Sequence, residues 1–329
     1  MSKLLIYGAT GYTGRMVARQ AKAAGLDFVI AGRDREKLAT FAKELDVPCR
    51  AFELDDATVL MHVLNGLRVV LNCAGPFVRT AQPLMRACIA SGVHYLDITA
   101  EIDTYRLAER LSKDAEMAGV MLMPGIGWDV VPTDCLAMHV SRRVENPVSL
   151  RIALQVAGSM SRGSAISAGE IIGAGLMARV DGVLAPTPDA KSGLFDFGEG
   201  LVTCAPLSFG DLITAWHSTG IPNIAMFVNV TGSAFPEGDL SKLPDGPSRE
   251  ERDDQRARAI VEVTGADGGV ARSMIETVNG YSYTPLSAVE AVRRVLGGEQ
   301  RAGFDTPARL FGSSFAESIA GTQIFDQPG

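Results

Sequence analysis

Short apolar runs alternate with stretches of helical period along the first third of this chain. Residues 3–7 are largely apolar and lead into Gly8-Ala9-Thr10-Gly11-Tyr12-Thr13-Gly14, after which Met16, Val17, Gln20, Ala21 and Ala24 recur at helical spacing. Apolar, β-rich runs at 28–32, 49–54, 69–73, 94–98 and 120–123 predict further strands. Between them, 35–45, 58–64, 80–91 and 104–118 read as helices, with Asp34 as an N-cap and Gly92 and Gly119 as C-terminal stops. This alternation predicts an α/β fold built on a Rossmann-type, doubly wound parallel sheet.

Near residue 145 the texture changes. Residues 148–157 and 224–230 are longer β-rich runs, and 257–264 alternates with 270–278 across a turn supplied by Gly265-Ala266-Asp267-Gly268-Gly269. These runs predict a second, α+β domain on a mixed or antiparallel sheet, with a helix over 164–179 on one face. Residues 237–254 read as a solvated loop, 286–296 as a helix, and 304–323 as apolar residues mixed with turn signals. The expected division is a first domain over 1–130, a second over 131–300, and a terminal segment, 301–329, packing back on the first.

Composition narrows the function. Hydrophobic residues at 47% and charged residues at 21% exclude a disordered chain. The balance of 31 basic and 38 acidic residues, −7 overall, counts against nucleic acid and against an anionic membrane surface, so any anion must meet a local basic patch. Cys49, Cys73, Cys88, Cys135 and Cys204 show neither a Cys-x-x-Cys pair nor zinc-like spacing, which predicts a reduced, cytoplasmic protein without structural metal. The first residues read as a strand rather than a secretion signal. The apolar stretch 165–178 carries Glu170 and falls short of the roughly 20 residues of a spanning helix, so no integral membrane segment is expected.

The glycine run Gly8 to Gly14 follows a strand and opens a helix, where backbone amides can approach a pyrophosphate. Gly8, Ala9, Thr10, Gly11, Tyr12, Thr13 and Gly14 are therefore candidate dinucleotide-binding residues. The second strand ends Ala31-Gly32-Arg33, with a cation where an NAD-preferring site usually has an acid. Arg33, Arg35 and Lys37 either hold the 2′-phosphate of NADP or are solvated charges paired with Asp34 and Glu36. Asp55 either reaches the adenine amine or is an exposed loop carboxylate. Ala74, Gly75, Pro76 and Phe77 close the fourth strand and leave room for the nicotinamide half.

Together with Tyr95-Leu96-Asp97-Ile98-Thr99-Ala100-Glu101 and Gly127-Trp128-Asp129-Val130-Val131-Pro132-Thr133-Asp134, these motifs resemble the saccharopine-dehydrogenase-like oxidoreductases, and within them the trans-acting enoyl reductase branch. The likeness is strongest over the first 135 residues and weaker beyond; Ala100 stands where that family usually has Gly, and Trp128 where Phe is common. It implies an NADP-binding Rossmann domain, a second α/β domain covering the nicotinamide, and a C-terminal segment returning to the first domain. Members of that family handle imines of amino acids or activated double bonds, and the resemblance does not name the substrate.

Reduction of such groups needs a proton donor or an oriented water beside the hydride path. Asp97, Thr99, Glu101, Asp129 and Asp134 lie at strand carboxyl ends; Asp129 is favoured because it follows Gly125-Ile126-Gly127, although Asp129 or Asp134 can equally cap the helix near Pro132. Glu101 is also a candidate cap, and Tyr95 a core aromatic with a satisfied hydroxyl. Tyr281 and Tyr283 are alternative donors or packing aromatics. Ser161, Arg162 and Ser164 open the second-domain helix and can face a substrate oxyanion or simply cap the helix.

No Tyr is followed four positions later by Lys, which counts against an extended short-chain dehydrogenase, and His62, His94, His139 and His217 form no ligand cluster. The apolar character of 165–178 and 213–230 favours a small, largely apolar or singly charged substrate, while Arg151, Arg162, Arg179 and Arg272 keep an acidic one open. The leading expectation is an NADP-dependent oxidoreductase acting on C=C, C=N or C=O; its rival is a non-catalytic NADP sensor or scaffold. Residues 225–228 are either core or the sheet edge of a homodimer.

Overall fold

The computed structural model describes residues 3–173, 175–231 and 245–328. The chain divides into two compact units, Met1–Gly127 with Thr284–Asp305, and Trp128–Tyr283 with Thr306–Gly329.

The first unit runs β1 (Leu4–Tyr7), α1 (Tyr12–Ala23), β2 (Phe28–Gly32), α2 (Arg35–Leu45), β3 (Cys49–Ala51), α3 (Ala57–Leu64), β4 (Val69–Asn72), α4 (Phe77–Ser91), β5 (His94–Asp97), α5 (Ile102–Met117) and β6 (Met121–Met123). Every position of β1, β2, β4 and β5 is buried. Parallel strands covered by helices on both faces need this continuous apolar run. The order is β15-β6-β5-β4-β1-β2-β3, with β15 (Gly303–Phe304) a seventh, parallel strand that the sequence pattern does not announce. The order reverses between β1 and β4, so their carboxyl ends frame a switch-point crevice. Two expected boundaries move by three residues: β3 ends at Ala51 rather than at Leu54, and α4 starts at Phe77 rather than at Thr80.

The second unit holds α6 (Val131–Ser141), β7 (Pro147–Ala157), α7 (Arg162–Gly173), β8 (Met177–Val180), β9 (Val183–Pro186), β10 (Gly193–Asp196), β11 (Leu201–Pro206), α8 (Asp211–Thr219), β12 (Asn223–Thr231), α9 (Arg249–Asp253), β13 (Arg256–Gly265) and β14 (Val270–Val278). After α10 (Gly280–Leu296), within which the division falls, come α11 (Pro307–Phe311) and β16 (Gln323–Gln327). The sheet order is β10-β11-β12-β7-β13-β14-β16, with the hairpin β8–β9 beside β12. It is mixed, since β12 runs parallel to β7 while β13 and β14 run antiparallel. Ala153, Phe195, Phe197, Cys204, Phe227, Ile260 and Met274 form one core cluster on it.

The helix expected over 286–296 begins at Gly280, three further expectations change, and one open alternative is decided. The helix expected over 164–179 ends at Gly173, and Met177–Val180 is a strand. Asp181 and Gly182 both take positive φ (47° and 79°), and an Asp-Gly pair is the signal that could have found this hairpin. The terminal segment 301–329 does not return to the first unit as a whole: Thr306–Gly329 belongs to the second, where β16 pairs with β14, and the returning chain is Thr284–Asp305. Residues 225–228 lie in an interior strand between β11 and β7, with Phe227 and Val228 buried, so that run is core and not a dimerising edge. Of the loop expected at 237–254, residues 237–244 lie outside the described residues, and Arg249–Asp253 is helical behind a Ser248/Glu251 capping box.

Candidate functional site

The glycine turn of the first unit is held by its own backbone. Gly8 and Ala9 N–H donate to Ala31 O at 2.9 and 3.2 Å, and Arg15 Nε donates to Thr10 O at 3.2 Å. Gly8 has φ +79°, and a Cβ placed on it would lie 2.7 Å from Ala74 N; a Cβ on Gly14 would overlap the Gly8 carbonyl. Gly11, the N-cap of α1, provides no side-chain hydrogen bond, and the first turn of α1 carries no acid. A helix start of this kind presents its positive dipole end and backbone amides to an anion, which fits a pyrophosphate.

Beside this turn a cleft of about 400 Å³ is lined by Arg33, Asp55, Ala74, Gly75 and Pro76, five of the residues that the sequence nominated. Arg33 is exposed and forms no ion pair among the described residues, whereas Asp34 accepts from Lys37 N at 3.0 Å and pairs with Lys37 Nζ at 3.3 Å. The local ion pair expected as the alternative therefore accounts for Lys37 but not for Arg33. Arg35 is exposed on the first turn of α2 and does not line the cleft. Asp55 is free of a capping role because its neighbour Asp56 caps α3, accepting from Thr58 and Val59 N at 2.8 and 3.1 Å.

Sequence reasoning missed Tyr7, Glu53, Arg79 and Thr80, which also line the cleft. Burial pushes the Tyr7 hydroxyl up to about 12, opposed by Arg33 and reinforced by Glu53. Arg79 lies in the part of α4 that precedes its predicted start at Thr80. The Phe77 ring, nominated with Ala74, Gly75 and Pro76, is buried and is not among the residues lining the cleft.

The reason for the early start of α4 is Glu101. Its carboxylate accepts from Phe77 N (2.9 Å) and Val78 N (2.8 Å), so it caps a helix 24 residues upstream rather than its own. Thr99 Oγ1 accepts from Glu101 N at 2.9 Å. Asp97, fully buried, accepts from Thr99 N (3.0 Å), Gly125 N (3.0 Å) and the Tyr95 hydroxyl (2.8 Å), so Tyr95 is the satisfied core aromatic expected. Burial raises the Asp97 carboxyl to about 7 against those three donors.

In the second unit, α6 takes no cap from Asp129 or Asp134. Asp134 Oδ2 instead accepts from Ala308 N at 2.9 Å, in the first turn of α11. Burial raises Asp129 to about 6, and the hydrogen bond favouring its charged form comes from its own backbone amide. Asp211, unremarked in the sequence, is completely buried at the start of α8. The nearby Thr133 hydroxyl donates to Val130 O at 3.0 Å, and neither Asp211 oxygen has a well-formed hydrogen bond, so burial holds its carboxyl far above the ordinary range.

Tyr281 and the two serines, nominated separately, meet. The Tyr281 hydroxyl donates to Ser164 Oγ (2.8 Å) and accepts from Ser161 N (2.7 Å), while Ser161 Oγ accepts from Ser164 N at 3.1 Å. Arg162 Nη2 lies 3.4 Å from Asp245. Tyr283 is fully buried and packs as a core aromatic. Arg151 and Arg272 both bind buried Glu262 at 2.6 Å, and Arg179 donates to Leu212 and Gly182 carbonyls at 2.8 Å. These three cations are engaged by partners within the fold. Among the described residues no group of three or more His, Cys, Asp or Glu is placed to hold a metal, and no helix is long and apolar enough to cross a membrane.

Residues 4–123 match the family model of the saccharopine dehydrogenase NADP binding domain. A trans-acting enoyl reductase of Mycobacterium leprae is 30% identical over 149 residues, covering 43% of this chain and 36% of that protein. A saccharopine dehydrogenase-like oxidoreductase of Homo sapiens is 26% identical over 166 residues, covering 44% of this chain and 39% of that protein. The match therefore spans well under half the length of either relative. Apo saccharopine dehydrogenase (L-Glu forming) from Saccharomyces cerevisiae shares the fold over 100% of both chains, with a TM-score of 0.69 at 13% identity.

Proposed function

We propose that this chain, whose residues 4–123 match the saccharopine dehydrogenase NADP binding domain and so point to a nicotinamide dinucleotide cofactor, is an NADP-dependent oxidoreductase acting on a C=C, C=N or C=O group of a small, largely apolar substrate. The observation that carries the reading is the open start of α1, set at the switch point where Gly8 meets Ala74. Gly8 through Gly14 (Ala9, Thr10, Gly11, Tyr12 and Thr13 between them) would hold the pyrophosphate on backbone amides. Arg33, with Arg35 nearby, would fork onto the 2′-phosphate and discriminate NADP from NAD, and Asp55 would accept from the adenine amine. Ala74, Gly75 and Pro76 would leave space on the nicotinamide side.

The bound cofactor supplies a hydride. Asp129 would hold the proton delivered to the reduced product, since burial keeps its carboxyl protonated up to about pH 6. Tyr281 is the second candidate: its hydroxyl donates a hydrogen bond to Ser164 Oγ and accepts one from Ser161 N–H, an arrangement that steadies the phenol. Ser161, Arg162 and Ser164 would orient the substrate at the start of α7.

One observation favours the sensor alternative. Asp97, Thr99, Glu101 and Asp134 direct their side chains to backbone amides and leave little chemistry at the strand ends. Calorimetry of the full chain with NADPH, NADP⁺, NADH and NAD⁺, followed by NADPH oxidation across enals, imines and ketones, tests both. Saturable NADPH binding with turnover supports the enzyme, binding without turnover supports the sensor, and no binding removes both.

A further inference from the structure

We propose that Asn72, Thr80 and Tyr95 are positioning residues for the nucleotide cleft, acting through the Ala74 peptide, and that the charge of Asp97 sets the direction of their hydrogen bonds. The inference rests on the cofactor reading above. Ala74 lines the cleft and lies against Gly8, so its peptide is part of the wall a dinucleotide would meet.

That peptide is clamped at both ends. Ala74 N–H donates to Asn72 Oδ1 at 3.0 Å, and Thr80 Oγ1 donates to Ala74 O at 2.7 Å. The two clamps are joined, because Asn72 Nδ2 donates to Thr80 Oγ1 (3.0 Å) and to the Tyr95 hydroxyl (3.1 Å). A hydroxyl has a single proton. Thr80 directs its proton to Ala74 O, so its oxygen is open to the amide; Tyr95 directs its proton to Asp97 Oδ2 at 2.8 Å, so its oxygen is open likewise. Asp97 Oδ1 receives Thr99 N and Gly125 N, and an ionised carboxylate accepts from all three donors without conflict.

A proton on Asp97 Oδ2 breaks the order. The acid would then donate to the Tyr95 oxygen, and the phenol proton would turn toward the Asn72 NH2 group, donor against donor. Rotating the amide relieves that clash but presents NH2 to the Ala74 N–H, which opens the clamp. One buried charge at the end of β5 thus holds the wall of the crevice beside β1. The titratable groups facing Asp97 are Tyr95 on its own strand, Cys73 after β4 and Glu101 beyond β5; burial keeps Cys73 and Tyr95 protonated, and Glu101 raises Asp97 further. The switch from clamped to open falls near pH 7.

The test is calorimetric titration of the full chain with NADPH across roughly two pH units centred near 7. Wild type should bind about five- to tenfold more weakly at the acid end. Tyr95→Phe, which keeps the buried ring, and Thr80→Val, at the cleft edge, should bind about five- to tenfold more weakly at the alkaline end. Tyr95→Phe and Asp97→Asn should also lose the pH dependence. Wild-type affinity in both Tyr95→Phe and Thr80→Val, or an unchanged pH profile in Tyr95→Phe, overturns the proposal and leaves the cofactor reading standing. If Tyr95→Phe does not fold, wild-type affinity in Thr80→Val alone overturns it. Absence of NADPH binding by wild type overturns both.

Discussion

Gly8 and Ala74 face each other across the switch point of the parallel sheet, so closely that a Cβ on Gly8 would lie 2.7 Å from Ala74 N and 2.8 Å from Ala74 Cβ. Gly8 also has φ +79°, a conformation that L side chains rarely adopt. Gly8→Ala should therefore lower stability by about 1–3 kcal/mol and weaken NADPH binding, measured by denaturant melts and calorimetry. A variant with unchanged affinity would separate this contact from the nucleotide.

Arg33 should act on one nucleotide only. Arg33→Ala is expected to weaken NADPH by about tenfold or more and to leave NADH nearly unchanged, because the lost fork serves the 2′-phosphate that NADH lacks. Equal losses for both nucleotides would remove its selective role.

Glu101 tests whether the strand-end acid is structural. A carboxylate accepts both Phe77 N–H and Val78 N–H. Glu101→Gln keeps the shape but turns an NH2 group toward one of those amides, so stability should fall by about 1–3 kcal/mol. A catalytic role would instead lower kcat with the melting temperature unchanged.

Buried carboxyls make stability depend on pH in a defined direction. Asp97 (about 7), Asp129 (about 6) and Asp211 (well above its ordinary value) keep protons in the folded chain that the unfolded chain releases near 4. These three groups lower the unfolding free energy as pH rises from about 4 through 7, by up to about 1.4 kcal/mol per pH unit per group, while His94, whose pKa burial lowers, opposes them below about 6.5. Glu290, held low chiefly by Arg293, works the other way and withdraws its support only below about 4. The melting temperature should be higher near pH 5.5 than near 7.5, and Asp211→Asn should flatten that slope; a melting temperature that rises toward pH 7.5 contradicts the assignment.

Asp129 and Tyr281 should separate in kinetics once a substrate is found. If Asp129 supplies the proton, kcat/KM for reduction falls as pH rises through about 6, and Asp129→Asn loses that limb along with about a hundredfold or more of the rate. Tyr281→Phe should then alter KM more than kcat. The opposite split would transfer the proton to Tyr281.

Much of this protein is readable from local pattern. The alternation of buried strands and helices, the glycine turn before α1, the Asp34 cap and the hairpin between β13 and β14 each depend on residues within a turn or two of one another. Their physics is that of side-chain period, positive φ and nearby capping, all of which act over short chain distances. The nominated residues Arg33, Asp55, Ala74, Gly75 and Pro76 share one cleft for the same reason, since each follows a strand whose end the pattern locates.

Tertiary structure alone decided which polar groups are left for chemistry. Glu101 caps a helix 24 residues away, Asp134 caps one 174 residues away, and Tyr281 joins Ser164 across 117 residues. Burial, not sequence spacing, raises Asp97, Asp129 and Asp211. Desolvation and long-range hydrogen bonds depend on what the folded chain places around a group, and no local period records that.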